Sequence, residues 1–371
     1  MRPARVALAI ALVAGSGYVA SRIVAGADAG THGADASPRE ILAARPLAGH
    51  PFADLARAET DPARKFRLHE VAARRAPRDL RVRAWLVEHH LAAANPTAAM
   101  QHLDVLLRLA DTEMRSALFP AVVQLAADPA FASALVDVLA RSPAWERAML
   151  RALRGQLDAP GASLIHAGLR ERGALSEDEA GRWLNALIGA GRWGEAYSLW
   201  SSGLDLGPSE PLPMLWDGGF DREPTGHGFG WRITNARGSH VTIAPGPGTD
   251  GPAARMVFLG RAVARGNLEQ PLHLPPGAYR IRMSVKADAL RSDQGLAWEL
   301  TCAGGQRLGT GEPVKGTFDW REYDVEFDVP VTECAGQWLR LRNPAPAGPA
   351  RMVSGELWVD NVTLTRTDEP S

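Results

Sequence analysis

Lysine is nearly absent from this chain: it occurs only at Lys65, Lys286 and Lys315, and arginine carries almost all the positive charge. Lys+Arg total 41 against Asp+Glu 42, a formal net charge of −1 over 371 residues. That balance supplies neither the basic face that nucleic acid requires nor an acidic solvating tail, so nucleic acid is not an expected partner. Cysteine is limited to Cys302 and Cys334. With no CxxC and no histidine pair at ligand spacing, a zinc site is excluded. A glycine-rich phosphate loop and a G-x-S-x-G elbow are also missing, which leaves no recognisable catalytic machinery. His89 and His90 are adjacent in a helical stretch, where one ring must point away from the other.

What is present begins at the N-terminus. Arg2 and Arg5 precede an apolar run over 6–19, and Arg22 follows closely. A cleaved signal peptide would use the small residues at 25–27 or 27–29. A membrane anchor needs roughly 20 residues, and 6–25 supplies them if Arg22 snorkels outward. Arg22 is unfavourable for processing, so 1–25 reads as an uncleaved inner-membrane anchor, with a cleaved signal and a soluble periplasmic product as the alternative. Both readings put everything past residue 30 outside the cytoplasm. In that compartment a small, even cysteine count points to a disulfide between Cys302 and Cys334, the alternative being two buried thiols.

From 38 to 204 the sequence is rich in Ala, Leu and Arg at helical spacing. Thr60-Asp61-Pro62, Asn95-Pro96, Ser142-Pro143 and Ser176 to Glu179 read as helix starts, and Leu103, Leu106 and Leu107 mark one apolar stripe. In a 34-residue unit from Leu80 to Glu113, Leu86, Ala99 and Leu103 fall where a tetratricopeptide repeat places large, small and large residues. Asp111 stands where that repeat closes on proline. Trp183, Leu187 and the run from Gly191 through Ala196 to Trp200 are similar to the turn and second helix of such a unit, while Pro120 and Pro129 break the register. The region resembles a degenerate tetratricopeptide array, which implies docking of a protein partner; an irregular helical bundle is the alternative.

A Pro- and Gly-rich linker at 205–213 separates this from a region of period two. Short runs at 229–234, 241–244, 255–259, 268–274, 278–287, 296–302, 320–329, 337–342 and 355–364 predict an antiparallel β-sandwich over 214–366. It opens on Leu215-Trp-Asp217-Gly-Gly-Phe-Asp221, with Gly-Phe-Gly-Trp231 soon after, and closes on Leu357-Trp-Val-Asp360-Asn-Val-Thr-Leu364. These end motifs resemble the galactose-binding-type jelly roll of carbohydrate-binding modules. The resemblance implies an envelope polysaccharide as ligand and a structural calcium on Asp221 and Asp360. Asp221 in place of a longer Glu, and Asn361 in place of a second Asp, depart from that pattern, and the two aspartates could instead only cap turns.

Strand alternation assigns the faces. Tyr279, Ile281, Met283 and Val285 point inward, as do Tyr323, Val325, Phe327, Val329, Leu339 and Leu341. Arg282, Trp320, Glu322, Trp338 and Arg340 then point outward; Trp298 falls with Leu296 and Leu300 in the core, leaving Glu299 outward. Trp320, Trp338, Arg282, Arg340, Glu322 and Glu299 are the candidate ligand-binding residues. Exposed tryptophan beside arginine suits a glycan platform and equally suits a domain contact. Glu322 and Asp324 could serve as paired acids, although such a pair is usually a solvated face. The expectation is a multidomain, non-catalytic envelope protein: a membrane segment, an all-α repeat-like region and an all-β jelly roll that binds or scaffolds polysaccharide. A pure protein-interaction scaffold is the alternative.

Overall fold

The computed structural model describes residues 37–205 and 212–367. No helix among them is long and apolar enough to cross a membrane, and the anchor or signal expected at 1–25 lies outside the described residues. The chain divides into two compact units, Met1–Ser176 and Glu177–Ser371.

The first unit is helical: α1 Pro38–Ala44, α2 His50–Ala58, α3 Pro62–Arg75, α4 Leu80–Ala92, α5 Pro96–Leu109, α6 Thr112–Leu125, α7 Pro129–Leu139, α8 Glu146–Arg154 and α9 Pro160–Glu171. Local chemistry sets the starts. Asp61, Asp79, Asn95, Asp111 and Asp128 each accept a hydrogen bond from a backbone N–H of the following turn, and proline occupies the first turn of α3, α5 and α7. Pro120 is taken up inside α6 instead of ending a helix. Leu86, Ala99 and Leu103 are all buried, with α4 packed on α5. Trp145 fills the core, and its indole N–H donates to Asp104 at 2.9 Å.

The second unit opens on a helical hairpin, α10 Glu177–Gly189 and α11 Trp193–Ser201, followed by β1 Arg232–Ile233, β2 Ser239–Pro245, β3 Pro252–Ala262, β4 Arg265–Leu272, β5 Gly277–Arg291, β6 Ala297–Cys302, β7 Arg307–Thr310, β8 Gly316–Val329, β9 Gln337–Arg342 and β10 Met352–Arg366. The expected helical region 38–204 is thus divided, its last two helices going with the sandwich. The strands form two five-stranded antiparallel sheets, ordered β1-β4-β9-β6-β7 and β2-β3-β10-β5-β8. Between them lies a core of Phe220, Trp231, Tyr279, Trp298, Ile281, Val325 and Leu339. A disulfide joins Cys302 at the end of β6 to Cys334 before β9, with Cα atoms 5.2 Å apart.

Candidate functional site

The outer face of the first sheet is built by register. Arg232 lies opposite Glu269, Glu269 opposite Arg340, and Arg340 opposite Glu299, a row crossing β1, β4, β9 and β6. Beside it runs Pro271, Trp338 and Thr301, and beyond the other flank Arg265, Arg342 and Ala297. The core residues Leu268, Leu339, Leu341 and Leu300 alternate with these positions, so the charged groups face away from the core.

The row is held by its own charges. Arg340 Nε donates to Glu269 Oε2 at 2.7 Å, and Glu299 pairs with Arg307 at 3.2 Å and Arg342 at 3.5 Å. Arg232 donates to Asn185 Oδ1 of α10 at 2.8 Å and to the Gly228 carbonyl at 3.1 Å. Burial lowers its pKa to about 10, so it remains a cation at neutral pH.

Trp338 faces outward, as alternation requires, but its ring is already engaged. The Arg340 and Arg232 guanidiniums lie 4.2 and 4.9 Å from its centroid, and Trp193 of α11 meets it edge-on at 5.7 Å. The hairpin therefore walls one side of this face. Trp193, Tyr197 and Trp200 pack on Phe229, and Trp200 also meets Trp216. Trp193 lies so close to Gly336 that a Cβ there would fall inside its ring. At the end of the sandwich, Trp193, Tyr197, His273 and Val331 line a mainly apolar cleft of about 920 Å³.

Trp320, Arg282 and Glu322 belong to the second sheet, whose outer face points the opposite way. There Arg282 forms two hydrogen bonds with Asp324, at 2.9 and 3.0 Å, with Glu322 at 3.8 Å. Arg280 pairs with Glu326, Lys286 with Asp319 and Arg255 with Glu356. The Trp320 indole donates to the Pro247 carbonyl at 2.9 Å. The six candidate residues thus form two groups on opposite faces, Trp338, Arg340 and Glu299 on one and Trp320, Arg282 and Glu322 on the other. No single ligand surface contains both.

Asp221 and Asp360 come together where the opening turn meets β10, tied by Val362 N–H donating to the Gly218 carbonyl at 2.8 Å. Asp360 is buried, and burial together with the charge of Asp221 raises its pKa. Asp217 is also raised, mainly by burial, while its carboxylate accepts from the backbone N–H groups of Asp221 and Arg222. Two carboxylates beside backbone carbonyls are a donor set of the hard type that calcium takes. Among the described residues no group of three or more His, Cys, Asp or Glu side chains converges to hold an ion.

No family model and no curated protein matches the chain. Solved structures do. TmCBM61 in complex with beta-1,4-galactotriose is similar at 16% identity and a TM-score of 0.30, over 42% of this chain and 100% of that one. A carbohydrate binding module from Cellvibrio mixtus lichenase 5A in complex with cellotriose is similar at 12% identity and a TM-score of 0.24, over 38% of this chain and 98% of that one. The Family 11 carbohydrate-binding module of a cellulosomal cellulase of Clostridium thermocellum gives 13% identity and a TM-score of 0.24, over 38% and 89%.

Sequence reading missed Arg232 and Glu269. Alternation could have found the second: Leu268 and Leu272 point inward and leave Glu269 out. Arg232 gave no such signal, because β1 is only 2 residues long.

Proposed function

We propose that the sandwich binds an envelope polysaccharide through the outer face of its first sheet, and that the chain itself catalyses nothing. The row Arg232, Glu269, Arg340 and Glu299 carries this reading. Neighbouring hydroxyls on a sugar need planar donors and acceptors side by side, and this row alternates them. Groups already immobilised by mutual ion pairs lose little rotamer freedom on binding, which favours affinity. Trp338 acts here by holding two guanidiniums flat, instead of presenting a bare stacking plane. Trp320, Arg282 and Glu322, on the opposite face, take no part in this binding.

The same reading places the chain at the inner membrane through residues 1–25, with the remainder in the periplasm and the helical unit docking a protein partner. A reporter that works only in the cytoplasm, fused after Gly33, should be silent; activity there would remove the export reading. Calcium bridging Asp221 and Asp360 completes the proposal. The scaffold alternative is favoured by one observation, namely that Trp193 already uses Trp338 as a protein contact.

The test is affinity electrophoresis of the full chain through gels containing neutral or acidic polysaccharides. Retardation that Arg340→Gln weakens supports binding. A chain retarded by none of them leaves the scaffold reading in its place.

A further inference from the structure

The two outer faces differ in charge. On the second sheet every basic side chain described above has a carboxylate partner: Arg255 has Glu356, Arg280 has Glu326, Arg282 has Asp324 with Glu322 beside it, and Lys286 has Asp319. Over all its strands, eight Arg and Lys side chains stand against eight carboxylates. On the first sheet Arg232, Arg265, Arg307, Arg340 and Arg342 surround only Glu269 and Glu299. That is five positive against two negative side chains, a surplus of three on one face of a chain whose formal net charge is −1.

The surplus is built in, not incidental. Neither Arg232 nor Arg265 has a carboxylate within ion-pair distance among the described residues. Arg232 is half-buried beside Trp338, where holding a cation carries a desolvation cost. Arg265 and Arg342 are paired across β4 and β9, so two like charges are set side by side on the flank of the row. A negatively charged ligand at the Arg265–Arg342 pair relieves that repulsion. A guanidinium takes a carboxylate in two parallel hydrogen bonds, the geometry Arg282 and Asp324 already show on the other face.

We propose that the polysaccharide bound by the first sheet is an acidic one, its carboxylate groups seated against Arg265 and Arg342 on the flank of the row. This rests on the polysaccharide reading above and narrows it to uronate-like chemistry.

Dextran and carboxymethyl dextran share a backbone and differ in charge, which makes them the probes for the full chain. Carboxymethyl dextran should retard it and dextran should do so at least roughly tenfold more weakly, with retention falling as salt is raised from about 0.05 to about 0.5 M. Arg265→Gln, a change at an exposed position, should weaken retention roughly tenfold while the melting temperature holds. Arg280→Gln on the other sheet should change nothing. Equal retention by both dextrans overturns the acidic assignment and leaves polysaccharide binding standing. Retention by neither removes both readings. Equal loss from Arg280→Gln, or binding of dextran sulfate and duplex DNA as strong as that of carboxymethyl dextran, would reduce the face to a general polyanion surface and also overturn the assignment.

Discussion

Trp193 of α11 and Trp338 of β9 meet edge to face, ring centroids 5.7 Å apart with planes at 84°. The contact joins the helical hairpin to the sandwich, and it sets what each tryptophan of the sheet is for. Trp338→Ala should loosen the hairpin and cost about 1–2 kcal/mol, of the order of an aromatic pair plus part of the buried ring. Trp298, fully buried in the core, should cost about 3–5 kcal/mol as Ala. Denaturant melts of the two variants compare them. If Trp338→Ala is the more damaging, the face assignment of β9 is wrong.

The disulfide closes a loop of 32 residues between β6 and β9. Replacing Cys302 and Cys334 together by Ser should destabilise the second unit by about 2–4 kcal/mol, mainly by freeing its unfolded chain. A melt under reducing conditions should reproduce that loss in the unaltered chain and leave the double variant unmoved.

Acid should act first on the helical unit. Burial lowers His102 to about 4, helped by Arg83 and by His90 stacked on it, and lowers His166 to about 4 with Arg170 adding to the effect. In the unfolded chain both titrate near 6.5. Folded pKa values below the unfolded ones mean that the unfolded chain takes up protons first as pH falls. Stability should be complete above about 6.5 and drain away toward about 4. His102→Gln should flatten this dependence; an unchanged slope would show that His102 is not among the groups responsible.

Asp360 titrates in the opposite sense. Its raised pKa means a buried carboxylate that weakens the fold once ionised, the loss beginning as pH rises past the ordinary carboxylate value and complete above the folded one. In chelator, Asp360→Asn should melt at or above the unaltered chain. Calcium should raise the melting temperature of the unaltered chain and not of Asp360→Asn. An identical response of both proteins to calcium would discard the metal.

Much of the sandwich was legible because its strands alternate cleanly. Tyr279, Ile281, Met283 and Val285 face the core as period two requires, and Trp298 joins them against its polar neighbour Glu299. The allegiance of α10 and α11 was not legible. Proline and glycine at 205–213 announce a boundary, yet the partners of Trp193, Tyr197 and Trp200 are Phe229, His273 and Trp338, scattered over more than 100 residues. Periodicity reports which side of a helix is apolar but carries no record of what covers it. The same limit hid the separation of Trp320 from Trp338, since pairing order between strands decides the sheet each belongs to.

Gly336 accepts the Trp193 ring and Gly228 the Trp200 ring, each at a place where any side chain would collide. A sandwich severed at the 205–213 linker would therefore keep the moulds and lose what fills them. Trp216, Phe229 and Trp338 would lie bare together, an apolar patch of the kind that drives soluble fragments to self-associate. The smallest piece of this half expected to remain monomeric begins at Glu177.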